Sequence, residues 1–174
     1  MADDRELSER VCQRDTRAFE AFYRENAAHL QGFLVQLLGT AQAVEDVMQE
    51  TFLQLWKRMN GFHPDGSLRA YLFGIARKQA AEWWRQRDPS REPSREDAEQ
   101  AKAEASSLVG DAFARLDADQ RSLLWLREVE GQSYAELGQI LGIPVGTVRS
   151  RLSAARQELR QIWRGDRVIK KESA

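Results

Sequence analysis

The sequence predicts an all-α chain of two small helical domains joined by a flexible linker, the second a helix-turn-helix domain. Apolar residues recur at spacings of three and four almost throughout, no stretch alternates strictly between apolar and polar, and one segment past the middle holds no large apolar residue. The 174 residues, 42% hydrophobic and 30% charged, exclude a wholly disordered chain, collagen and a coiled-coil fibre. A chain of this size buries roughly two-thirds of its unfolded surface, so neither metal nor disulfide is needed as a staple. The single Cys12 closes no intrachain bridge and suits a reducing compartment.

The elements follow in order. Phe19, Phe22, Tyr23, Leu30, Phe33, Leu34 and Leu37 form one stripe of a long helix that stops at Gly39. A second helix starts near Thr40 and sets Val44, Val47, Met48, Thr51, Phe52, Leu55 and Met59 along one side. NGFHPDGS (60–67) is a loop, because Gly, Pro and Asp-Gly punctuate it. Ser67 can cap a third helix carrying Leu68, Leu72, Ile75, Ala76 and Trp83, which completes a bundle over 1–87. The segment 88–107 is read as an acidic, Pro- and Ser-containing linker, since its composition cannot build a core. If flexible, it has an end-to-end distance of about 25 Å and lets the two domains occupy separate sites.

A second domain spans 108–174. Leu108, Val109, Phe113 and Leu116 lead to Asp117, which with Gln120 makes a capping box for a helix burying Leu123, Leu124 and Val129 and ended by Gly131. Ser133 and Glu136 repeat the box and start a short helix to Leu141; Gly142 fits the left-handed position after it and Pro144 the start of the next. The last helix carries Val148, Leu152, Ala155, Leu159 and Ile162.

Charge is unevenly placed. Lys and Arg number 26 against 27 Asp and Glu, yet Val145 to Lys171 is net +6 and Leu68 to Arg87 net +4. Two basic stretches in a neutral chain point to local anion contacts, nucleic acid among them, as well as to ordinary solvated faces. The short capped helix, Gly-containing turn and second helix at 133–162 have helix-turn-helix spacing, with small Gly138, turn Gly142 and anchor Val148. Off its apolar stripe lie Thr147, Arg149, Ser150, Ser153, Arg156 and Gln157, residue types that read base edges or hold phosphates. A helical hairpin solvated by its arginines would show the same spacing.

In the first domain, LRAYLFGIARKQAAEWWRQR (68–87) interleaves Tyr71, Phe73, Trp83 and Trp84 with Arg77, Lys78, Arg85 and Arg87. Aromatic faces stack unpaired bases and the cations follow phosphates, although aromatics at helical spacing also build cores. The preceding helix sets Glu45, Asp46, Gln49 and Glu50 beside Phe52, Leu53 and Trp56, a polar patch that can dock a basic partner helix or simply meet solvent. Catalysis has no support: His29 and His63 are the only histidines, no metal-ligand spacing exists, no Gly-rich phosphate loop follows a strand and no nucleophile motif is present. The reading is a non-enzyme with no cofactor, metal or catalytic residue. The N-terminus MADDRELSER is no signal peptide, and FLVQLL (33–38) is far short of the roughly 20 apolar residues of a span, so no membrane insertion and a cytoplasmic location are expected.

Three motifs in order, AVEDVMQETFLQLW (43–56), FxxxGSxxAYLFGIAR (62–77) and YAELGQILGIPVGTVRSRLSAARQELR (134–160), resemble the extracytoplasmic-function group of bacterial RNA polymerase sigma factors, over about residues 15–163. The resemblance implies a two-domain transcription initiation factor. Its first domain (1–87) would bind the clamp helices of the largest subunit of core RNA polymerase and melt the minus-ten element; its second (108–174) would read the minus-thirty-five element of promoter DNA as duplex. It also implies an anti-sigma partner.

By position, Glu45, Asp46, Gln49, Glu50, Phe52, Leu53 and Trp56 fall in the family's polymerase-binding motif. The loop with Phe62, His63 and Ser67, and the helix with Tyr71, Arg77, Lys78 and Arg85, correspond to the minus-ten segment. Thr147, Arg149, Ser150, Arg151, Ser153 and Arg156 occupy the recognition helix. The chain departs from the family's common residues at Ala43-Val44 (Asp-Ala), Tyr71 (Trp), Lys78 (Asn), Gly138 (Ala) and Ala154 (Arg); at Lys78 a base-reading amide becomes a point charge. Two rivals stand beside this reading. A free-standing helix-turn-helix regulator leaves 43–56 without a role, and an all-helical protein adaptor leaves Arg149 and Arg156 without one.

Overall fold

Asp15 opens the first long helix by accepting from the N–H groups of Arg17 (2.9 Å) and Ala18 (3.1 Å), and so caps α2 (Thr16–Leu38). A shorter helix, α1 (Ala2–Cys12), precedes it and sends Arg10 to the same carboxylate at 2.8 Å. Those hydrogen bonds, Arg10's foremost, hold the Asp15 carboxyl below the usual carboxylate range. The apolar stripe beginning at Phe19 gives no sign of α1, which buries Val11 and Ser8. These details come from a computed structural model that describes residues 2–59, 67–87, 112–113 and 115–172.

The expected ends of the next elements are where the sequence puts them. Gly39 stops α2 in the left-handed region at φ 79°, Thr40 caps α3 (Ala41–Arg58), and the Ser67 hydroxyl accepts the Ala70 N–H (3.1 Å) at the start of α4 (Leu68–Arg87). Leu30, Phe33 and Leu34 of α2, Val47 and Leu55 of α3, and Leu72, Phe73 and Ile75 of α4 bury their side chains together. Phe33 and Phe73 meet edge to face at 5.3 Å, and the buried Trp84 indole donates to the Leu37 carbonyl at 3.1 Å. The loop residues 60–66, including Phe62 and His63, and the predicted linker 88–107 lie outside the described residues, as do Leu108 and Val109.

In the C-terminal half both capping boxes form, Asp117 with Gln120 at the head of α5 (Ala118–Leu124) and Ser133 with Glu136 at the head of α6 (Tyr134–Leu141). Gly142, at φ 67°, turns the chain into α7 (Val145–Glu172), which continues past the predicted apolar stripe. A Cβ on Gly138 would stand 3.0 Å from the Ile143 carbonyl oxygen, so the turn folds tightly against α6. One expectation fails. Val129, read as buried, is 56% exposed. Residues Trp125–Val129 continue α5 as a π-helical turn, and the wider turn shifts the register so that Leu126 faces the core while Val129 faces out.

The two bundles are docked on one another in this structure. Gly74 of α4 lets the backbones approach, since a Cβ there would lie 3.7 Å from the Ile140 Cα of α6. Gly32 of α2 does the same for Trp125, whose ring would come within 3.2 Å of a Cβ. No strand occurs among the described residues.

Candidate protein and nucleic-acid interfaces

Three surfaces carry the residues that the sequence singles out. The first is the outer face of α3. Glu45, Asp46 and Gln49 are exposed and Glu50 half-buried; Gln49 donates to Glu45 (3.4 Å) and Gln54 to Glu50 (2.7 Å). Beside these acids runs an apolar ridge of Leu53 (45% exposed), Tyr23 (39% exposed) and half-buried Trp56. Tyr23, placed in the core stripe by its spacing, turns outward instead. Phe52 is buried beneath Tyr23 (ring centroids 4.6 Å apart) and Phe19 (6.4 Å), so it supports the ridge from below. Trp56 packs on Phe19 at 4.8 Å, with the Arg14 guanidinium 5.7 Å from its ring. Acid and exposed apolar surface side by side suit a basic, partly apolar partner helix.

The second surface is the polar side of α4, which faces the other half. The Ser67 hydroxyl, besides capping α4, bonds the Glu136 carboxylate, and Arg77 donates to Asp119 at 2.8 Å. Burial raises the Glu136 carboxyl, but hydrogen bonds from Ser133 and Ser67 and the charge of Arg69 outweigh it and hold the group below its ordinary value. Glu130, its side chain 1% exposed, accepts from Arg69 and from the Trp125 indole (3.1 Å), and His29 Nδ1 lies 3.1 Å from it. Arg69, Glu130, Trp125 and His29 were not among the predicted site residues. Arg69 and His29 reach Glu130 from too far along the chain for spacing to show, and Trp125 reaches it through the π-helical turn. Tyr71 is half-buried; Lys78 and Arg85 are exposed, Arg85 pairing with Glu82 at 2.5 Å. Trp84 is core, while Trp83 carries the Arg87 guanidinium 4.2 Å from its ring.

The third surface is α7. Arg149, Ser150, Arg151 and Ser153 are exposed, Thr147 and Arg156 half-buried. Arg149 and Arg156, seven residues apart, share one margin of the helix; Arg151 faces the other and lines a small cavity with Asp117 and Asp119. The Ser150 hydroxyl donates to the Thr147 carbonyl at 3.0 Å. Arg156 grips Glu128 through Nε (3.0 Å) and Nη2 (2.5 Å), which raises its already high pKa. Tyr134, also missed by the sequence reading, stands among Arg127, Arg149 and Arg156. Among the described residues no group of three His, Cys, Asp or Glu is placed to hold a metal ion, and no helix is long and apolar enough to cross a membrane.

Comparison with known proteins bears on all three surfaces. The family model described as Sigma-70 region 2 matches residues 22–89, and that described as Sigma-70, region 4 matches residues 106–159. The chain is 30% identical to the RNA polymerase sigma-H factor of Pseudomonas aeruginosa over 90% of its own length and 91% of that protein's. It is 33% identical to the ECF RNA polymerase sigma factor SigL of Mycobacterium tuberculosis over 80% and 85%. Among solved structures it resembles CnrH in complex with the cytosolic domain of CnrY (TM-score 0.74, 25% identity, 94% of this chain and 98% of that one). It also resembles the sigma factor RpoE in complex with the anti-sigma factor NepR from Bartonella quintana (TM-score 0.68, 26% identity, 84% and 96%).

Proposed function

The chain belongs to the extracytoplasmic-function group of RNA polymerase sigma factors, and from that premise we propose that it binds core polymerase through α3 and directs it to promoters read by α4 and α7. The observation that carries this reading is the coexistence, on one chain, of an acidic and apolar docking ridge and a helix-turn-helix whose second helix turns Arg149, Ser150 and Ser153 to solvent. A regulator acting alone has no use for the first.

In this reading Glu45, Asp46, Gln49 and Glu50 meet a basic surface of the polymerase clamp helices, Leu53 and Trp56 supply the apolar contact, and Phe52 braces them. Residues 1–87 melt the minus-ten element, with Phe62, His63, Ser67, Tyr71, Arg77, Lys78 and Arg85 along the path of the opened strand. Residues 108–174 read the minus-thirty-five duplex through Thr147, Arg149, Ser150, Arg151, Ser153 and Arg156, and 88–107 joins the two. Ser67 and Arg77 are held by Glu136 and Asp119 of the other half, so α4 meets DNA after the halves part. The relative solved with the anti-sigma factor NepR supports an anti-sigma partner for this chain too, and its site of action would be the cytoplasm.

Replacing Asp46 and Glu50 by Lys tests the docking face. Helicity should persist, because Lys forms helices about as well as Glu. Like charges across a complementary interface cost several kcal/mol, so core binding should drop by at least about a hundredfold and promoter-specific transcription with it. A folded double variant that transcribes fully would remove this face from docking. Tight, specific promoter binding by the wild-type chain without polymerase would favour the free-standing regulator.

A further inference from the structure

Tyr134 is the first residue of α6, and its backbone is held by the reciprocal Ser133–Glu136 cap, in which Ser133 N–H donates to Glu136 (2.7 Å) and Glu136 N–H to Ser133 (3.2 Å). The ring is half-buried against the core. Around it stand three guanidinium groups. Arg127 lies 4.9 Å and Arg149 5.8 Å from its centroid, and the Arg156 guanidinium interacts electrostatically with its side chain. Arg127 is anchored from behind by donating to the Gln132 carbonyl at 2.7 Å. The acid in contact with this group is Glu128, which Arg156 grips; Glu128 reaches it from the π-helical turn that also throws Val129 outward.

A free arginine loses much rotamer freedom when it meets DNA. A guanidinium resting on an aromatic face has lost part of that freedom already, and its planar edge keeps donors free for a base or phosphate. Among the described residues, three cations stand here against the one carboxylate that Arg156 grips, and the excess of positive charge favours an anion. An aromatic face offsets their mutual repulsion without consuming the donors that recognition needs.

We infer that Tyr134 is a positioning residue for duplex recognition: its ring aims Arg149, Glu128 holds Arg156 beside it, and Arg127 adds a third cation to the same margin. The ligand is double-stranded DNA, met by base edge and phosphate together. This rests on the reading of α7 as the minus-thirty-five reader.

The test uses full-length chain reconstituted with core polymerase on a promoter library randomised at the minus-thirty-five element, with thermal unfolding as the check on folding. Tyr134→Phe keeps the ring and should retain the base preference with at most a roughly fivefold loss of output. Tyr134→Leu keeps apolar bulk without the aromatic face; it should lose roughly tenfold and flatten preference at the position that Arg149→Ala flattens. The double variant should be little worse than Arg149→Ala alone, because both changes remove one alignment. Glu128→Gln, which leaves the packing intact, should raise affinity for unrelated duplex about threefold or more and blur the same preference. The proposal falls if Tyr134→Leu folds and keeps the wild-type preference, or if its effect multiplies with that of Arg149→Ala. Should Tyr134→Leu not fold, unchanged duplex affinity and preference in Glu128→Gln overturns it. If Arg149→Ala and Arg156→Ala themselves leave preference untouched, the reading of α7 fails and the proposal with it; if they disturb it while the Tyr134 and Glu128 variants do not, the proposal fails alone.

Discussion

Two arginines of α4 and two of α7 are held by partners, but from different places. Arg69 and Arg77 of α4 are taken up by Glu130 and Asp119 of the opposite half. Arg149 and Arg156 of α7 lean on Tyr134 and Glu128 of their own half. A contact between halves is released by a rigid-body separation and is unavailable to DNA until then. A contact within one half travels with the helix and shapes its arginines whether the halves are docked or apart. Two basic stretches of similar composition thus differ in state: Arg69 and Arg77 of one are covered by the opposite half, while Arg149 and Arg156 of the other are preset within their own.

Breaking the cover should give the largest effect. In Glu130→Ala the half-buried Trp125 N–H and the Arg69 guanidinium lose their buried acceptor, at a cost of about 3 kcal/mol to the docked arrangement. Small-angle scattering should record a larger radius of gyration while circular dichroism records the same helicity; an unchanged radius would show that Glu130 does not hold the halves together. Arg149→Ala should do the reverse. The radius stays, and minus-thirty-five discrimination falls by about 1 to 3 kcal/mol at one base position. A loss spread evenly over the element would make Arg149 a phosphate contact instead.

Asp119→Asn sharpens the comparison with a smaller change. Its carboxylate is largely exposed, so freeing Arg77 should cost the docked state less than about 1 kcal/mol, and added salt should erase most of the difference from wild type. A shift as large as that of Glu130→Ala would mean that charge, not burial, clasps the halves. The smallest effect lies outside both faces. Arg10 and the α2 N–H groups hold Asp15 below its ordinary value, so its contribution is fully present above the unfolded pKa of about 3.9 and fades as pH falls through the lower folded one. Asp15→Asn should therefore flatten the acid limb of the unfolding curve below about pH 4 and leave neutral-pH docking as it was.

How much of this was legible depends on how far apart the partners sit. Asp117 with Gln120, Ser133 with Glu136, Gly39 and Gly142 act within four residues, so helix ends, turns and the helix-turn-helix could be read from the chain directly. The motif order identified the family for the same reason, since motifs are local. Tyr23 and Val129 misled because periodicity gives a face and not its neighbour: Tyr23 has Phe52 beneath it, and the π-helical turn changes the period at Val129.

By itself, then, the sequence determined the all-α class, the caps, the helix-turn-helix and the residues proposed to meet polymerase and promoter, because propensity, capping and charge act over a few residues. Only the tertiary structure decided which of those residues are covered and which are aimed. Arg69 meets Glu130 across 61 positions and Arg77 meets Asp119 across 42, pairs selected by the packing of Gly32 on Trp125 and Gly74 on Ile140, while Arg156 meets Glu128 across 28 through the packing of α7 within its own half; no period along the chain shows any of them.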